Sequence, residues 1–96
     1  MTGSELIAAE RQRQVDREGW TPEHDATHAD SEMAKAAACY IDNAIWGLNS
    51  RPGRNPPDGW PWQPSWWKPS DDPVRDLVKA GALIAAEIDR LKGERP

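Results

Sequence analysis

Asp72-Pro73-Val74-Arg75-Asp76-Leu77-Val78-Lys79-Ala80-Gly81-Ala82-Leu83-Ile84-Ala85-Ala86-Glu87-Ile88-Asp89-Arg90-Leu91-Lys92-Gly93 carries its own start and stop signals. An aspartate at 72 suits an N-cap, where its carboxylate accepts from the amides of the first turn. Pro73 suits the next position, where no amide hydrogen is needed. Leu77, Val78, Gly81, Ile84, Ala85, Ile88 and Leu91 then form an apolar stripe at helical spacing, and Gly93 closes it. The pattern predicts a helix over 73–92.

Working upstream, Met33, Ala34, Ala37, Ala38, Ile41, Ala44, Ile45 and Leu48 recur at intervals of three and four, with Asp30 or Ser31 placed to cap. A second helix is expected over 31–48, and its alanines, which permit close approach, nominate it as the central one. Thr2 and Glu5 have capping-box spacing, and no breaker follows until Gly19, so a first helix is expected over 4–17. Loops fill 19–29 and 49–70. Six prolines between Asn49 and Pro69 exclude a regular helix or central strand there. No segment alternates as a strand would, and no motif repeats at fixed spacing. The fold class expected is all-α, a small three-helix domain spanning 1–96 with a long tryptophan- and proline-rich loop between helices two and three.

At 96 residues, one modest core is the most such a chain builds. The net charge of −4 and pI near 5.1 supply no basic field for a phosphate backbone, which argues against duplex nucleic acid. Cys39 is the only cysteine and sits among alanines, where it reads as a small buried hydrophobe. That, with the lack of a long apolar run or of a basic-then-apolar leader, leads to the expectation of a cytoplasmic protein with no membrane partner.

Trp60, Trp62, Trp66 and Trp67 fall within eight residues, interleaved with Pro61 and Pro64 and followed by Lys68. So much indole surface either covers the helical core or offers a stacking slot, with Lys68 answering a phosphate. Different indoles can take each role. The segment from Gly19 to Asp30 gathers Trp20, Thr21, His24, Asp25, Thr27 and His28 ahead of a helix N-terminus, a place where backbone donors face an anion. Its histidines and aspartates are acceptable metal ligands, yet they lack the spacing on a helix that would make them specific. Asp25 and His28 equally suit a role in satisfying the backbone of their own loop. Glu10, Arg11, Arg13, Arg75, Asp76, Lys79, Glu87 and Asp89 read as solvated helix faces. No nucleophile elbow, glycine-rich phosphate loop or Cys/His pair is present, so neither a catalytic residue nor a cofactor is nominated.

From Glu10 to Ala37 the order is helix, Gly19-Trp20-Thr21, an acidic turn at Asp25, His28 and a second helix. This resembles the RyR domain, the ryanodine-receptor repeat, although Pro22 and Glu23 stand where that pattern has a tyrosine-glycine step and Ala29 where it has proline. The wider chain, including Lys35 to Tyr40, Trp66 to Pro69 and Leu77 to Leu91, resembles a family of small tailed-phage and prophage proteins. The resemblances imply a ligand- or protein-binding module rather than a catalyst. They suggest a phage protein that sequesters a nucleotide-derived signal of the ADP-ribose or cyclic nucleotide type. On that reading Trp20 and one or more of Trp62, Trp66 and Trp67 sandwich a base, while Arg11, Thr21, Asp25, His28 and Lys68 line the rest of the site. A homo-oligomer that completes its core across a symmetric interface fits so short and aromatic a chain. Two other readings stand beside it. One is an inhibitor that binds a host protein through the same tryptophans. The other is an all-α nucleotide pyrophosphohydrolase suggested by Glu87 and Asp89, for which the expected Glu-x-x-Glu ligands are missing.

Overall fold

The computed structural model describes residues 1–18, 31–47 and 55–93. Among them the chain is all-α, with three helices and no strand. Helix α1 runs Gly3–Glu18, α2 Glu32–Trp46 and α3 Pro73–Lys92, and one 3-10 turn, Pro64–Trp66, lies between α2 and α3.

The helix ends follow local chemistry. Thr2 and Glu5 form a reciprocal capping box: the Thr2 amide donates to Glu5 Oε1 at 2.7 Å and the Glu5 amide to Thr2 Oγ1 at 3.3 Å. Asp72 accepts from the Val74 amide at 2.9 Å, and Pro73 occupies the first turn of α3. Gly93, with φ 71°, ends that helix by donating to Arg90 and Asp89 carbonyls. At α2 the boundaries depart from expectation. Ser31 precedes it in a left-handed conformation, φ 62° and ψ 30°, and its hydroxyl makes no capping bond. Gly47, expected inside the helix, stops it instead, turning to φ 77° and donating to the Asn43 carbonyl at 2.9 Å.

Helix α3, not α2, is the central element: it packs on both α1 and α2, which do not pack on each other. Gly81 makes the α1 contact possible. A β-carbon there would lie 2.6 Å from Ile7 Cδ1, so only glycine lets that side chain reach the α3 backbone. The face that α3 buries is made by small and acidic residues, Asp76, Val78, Ala80, Ala82, Leu83, Ala86 and Glu87. The Leu77, Ile84, Ile88 and Leu91 side of its apolar stripe faces outward.

The core is Met33, Ala36, Ala37, Cys39 and Tyr40 of α2 against Ala80, Leu83 and Ala86 of α3, with Trp67 from the intervening loop. Cys39 is buried, as its alanine-rich setting suggested. Trp60, Trp62 and Ile41 pack on the margin. The loop reaches this position through a turn over Asp58 and Gly59, in which the Trp60 amide donates to the Pro57 carbonyl at 3.1 Å. Gly59 has φ 92° at the third position of that turn, where a type II turn requires positive φ. No helix of the described residues is long and apolar enough to cross a membrane.

Candidate functional site

The loop's indoles divide into two groups. Trp67 is only 5% exposed; its ring lies 4.7 Å from that of Tyr40 and 5.0 Å from that of Trp60. Trp60 stands edge-on to both Tyr40 and Trp62, and its indole nitrogen donates to the Gln63 carbonyl at 3.1 Å. These three rings cover the core. Trp66, carried outward by the 3-10 turn, is 43% exposed, with the Lys68 ammonium 5.6 Å from its ring centre.

Lys68 is held by its backbone. Its amide donates to the Tyr40 hydroxyl at 3.2 Å, and its carbonyl accepts from the Lys79 ammonium, so α2 and α3 both grip the loop at this residue. Two residues on, the Ser70 amide donates to Asp76 Oδ1 at 3.0 Å, while the Asn43 amide nitrogen donates to Asp76 Oδ2 at 2.6 Å.

Across from this clamp, α1 contributes a second buried carboxylate. Glu10 accepts from Arg13 through both oxygens, at 2.9 and 2.8 Å, and from Gln14 at 3.2 Å; Arg75 of α3 pairs with it at 2.7 Å. Burial pushes the Glu10 carboxyl up, but hydrogen bonds and charge from Arg13 and Arg75 outweigh it and hold the group below 4.5. Such a carboxyl stabilises the fold above its ordinary value near 4.5, and this contribution is lost as pH falls through the lower folded value. In urea unfolding between about pH 5 and pH 2, Glu10→Gln should therefore lose less stability on acidification than the parent chain. A difference between the two that stays constant across that range would contradict this assignment.

Beside the Glu10 carboxylate lies a depression of about 30 Å³, lined by Glu10, Arg13, Gln14, Tyr40, Trp66, Lys68, Lys79 and Leu83. Lys79 sits 5.5 Å from the Tyr40 ring centre. Its pKa is lowered, first by burial and then by the positive charge of Arg75, against the opposing pull of Asp76 and Glu10. Arg13, Lys68 and Lys79 line the depression with one carboxylate, that of Glu10, a local positive excess in a chain whose net charge is −4. Gln14 is also buried here. Its amide nitrogen is fixed by Glu10, which can only accept, and its Oε1 has no partner among the described residues. The depression can hold one small group that accepts from the cations.

Of the residues nominated from sequence, Trp66 and Lys68 meet at this depression. Trp62 belongs to the core margin and Trp67 to the core. Arg11 is half-buried on α1 and stands outside the depression. Trp20, Thr21, Asp25 and His28 lie outside the described residues. Arg13, Gln14 and Lys79 were missed as site residues. Glu10, Arg13 and Gln14 share one α1 face, a spacing that also marks an ordinary solvated i,i+3 pair. Glu87, weighed as a metal ligand, is buried and paired with Arg90 at 2.6 Å, and no three His, Cys, Asp or Glu residues converge among the described residues.

No protein-family model, curated protein or solved structure matches the chain.

Proposed function

We propose that this chain is a non-catalytic binding module for a small anionic ligand of the nucleotide-derived class. The observation that carries the reading is the convergence of Arg13, Lys68 and Lys79 on one depression edged by the exposed Trp66 indole. A volume of about 30 Å³, roughly that of one liquid water, admits an oxygen edge and not a base. The anionic group therefore enters, and the flat part of the ligand lies outside on Trp66. With no nucleophile or general base nominated, the module withholds its ligand rather than converting it. The phage-protein resemblance extends this to a signal of the ADP-ribose or cyclic nucleotide type kept from a host effector.

Calorimetry and tryptophan emission with ADP-ribose, AMP, cyclic dinucleotides and inorganic phosphate test the proposal. At least one should bind, and Trp66→Ala or Lys68→Glu should weaken it about ten-fold or more without loss of helicity. Binding should also decline in alkaline solution as Lys79 loses its proton below the ordinary 10.5. If none of the panel binds at about 1 mM, the reading is overturned.

A second reading, a module that grips a host protein, is favoured by one feature. At the C-terminal end of α2, Trp46 is 74% exposed beside the exposed Ile45, and a large exposed indole suits an interface anchor. Capture from host lysate that is lost with Trp46→Ala and indifferent to added nucleotides would support it.

A further inference from the structure

Of the four lysines, Lys35, Lys68 and Lys92 are exposed, whereas Lys79 is half-buried. Its Nζ is held in place at the wall of the depression, donating to the Lys68 carbonyl and lying 5.5 Å from the Tyr40 ring centre. Arg13 and Lys68 line the same depression with the single carboxylate of Glu10, and Arg75 also pairs with that carboxylate. An anion that enters therefore meets net positive charge even after the Glu10 ion pairs are counted. An amine drawn out of water and set beside other cations becomes a nucleophile near neutral pH. Burial first, then Arg75, lowers the Lys79 pKa; Arg13 on α1 adds to this, and Asp76 and Glu10 oppose it. Tyr40 of α2 and Lys68 of the loop complete the surroundings of the amine.

We propose that Lys79 is a covalent capture site for a small 2-oxo acid, whose carboxylate is held by Arg13 and Lys68 while the adjoining carbonyl carbon meets Nζ. Size selects this class. A depression of about 30 Å³ takes a carboxylate edge and little more, so a carbonyl that is to reach the amine must directly adjoin the acid group. In the reaction, the lone pair of the neutral amine forms the C–N bond and the carbonyl π pair moves to oxygen. That oxygen then leaves as water with both amine hydrogens, giving an imine. No oxidant or reductant is consumed. Once protonated from solvent, the imine nitrogen carries one N–H, which suffices for the Lys68 carbonyl, so capture keeps the loop clamped. Capture uses the same depression as the nucleotide ligand but requires no nucleotide. Calorimetry reads reversible filling of the depression and covalent trapping reads the amine, so either can fail alone.

Trapping of the whole chain with glyoxylate and cyanoborohydride, which reduces the imine to a stable secondary amine, followed by peptide mass mapping, tests the proposal. At about pH 7.5, Lys79 should label at least ~10-fold faster than Lys35 or Lys92. That advantage should shrink above about pH 10.5, where lysine amines in general lose their protons. Acetaldehyde, which has the carbonyl without the carboxylate, should show a preference for Lys79 at least ~3-fold smaller. Lys68→Gln leaves the backbone clamp in place and should remove most of the advantage of glyoxylate over acetaldehyde. Equal labelling of Lys79, Lys35 and Lys92 by glyoxylate would overturn the proposal. So would an equal preference for Lys79 with glyoxylate and acetaldehyde, or a glyoxylate advantage unchanged in Lys68→Gln.

Discussion

Asp76→Ala should destabilise the chain by about 3–5 kcal/mol, enough to unfold most of it if its total stability lies in the usual range of about 5–15 kcal/mol. Asp76 is 1% exposed, and its two oxygens join three segments: Asn43 of α2, the Ser70 amide at the end of the loop, and α3 itself. Alanine would strand both donors away from water, at about 1–3 kcal/mol for each unsatisfied group, and leave a cavity besides. Asp76→Asn should cost less. Its carbonyl can still accept from Ser70, but its amide nitrogen would face that of Asn43, and one donor pair would clash. Chemical unfolding followed by far-UV circular dichroism gives the measurement. A cost of under about 1 kcal/mol for Asp76→Ala would mean that the three segments are not joined here.

Trp67→Ala is the second large effect, about 3–5 kcal/mol, with Trp66→Ala below about 1 kcal/mol as its control one residue away. Trp67 fills the space between Tyr40 and Trp60, so its removal opens a cavity that the loop cannot close. The loop is already clamped at Lys68 by the Tyr40 hydroxyl and by Lys79. Trp67→Phe should recover part of the loss, because a smaller ring keeps the contact with Tyr40 and removes an indole nitrogen that has no partner among the described residues. The contrast between 66 and 67 matters more than either value. Adjacent tryptophans of equal intrinsic hydrophobicity would have opposite roles, one holding the core and one facing ligand. Equal costs for the two would show that the loop does not distinguish them.

What the sequence revealed was mostly local. The capping box at Thr2 and Glu5, the Asp72-Pro73 start and the Gly93 stop each involve groups within a few residues, and each formed where its chemistry indicated. The all-α class followed from the same signals. Helix orientation was another matter. The Leu77, Ile84, Ile88 and Leu91 stripe is the most apolar side of α3, yet the buried sides are those of Ala80, Ala82 and Ala86, whose short side chains allow two helices to approach at once. Close approach from two directions made α3 the central helix, and the alanines of α2 alone could not reveal it.

The site was legible in one half only. Trp66 and Lys68 stood out by composition, but no local pattern separates Trp66 from Trp67, because the division depends on the 3-10 turn over Pro64–Trp66. Glu10 and Asp76 looked like solvated helix charges, since each has an ordinary polar sequence around it. Their burial depends on Arg75 and Asn43, far along the chain, and only tertiary packing brings those partners within reach. Lys79 joined the site the same way, drawn by the Lys68 carbonyl.

The tryptophan- and proline-rich loop is a wall of the fold, with Trp66 alone of its indoles turned outward. Equilibrium unfolding of the whole chain, followed at once by tryptophan emission and by far-UV circular dichroism, tests it most directly. One transition with the same midpoint by both probes is expected, because Trp60, Trp62 and Trp67 leave their places only when α2 and α3 separate. An emission change complete at lower denaturant, with helicity intact, would show instead that the loop peels from a core that stands without it.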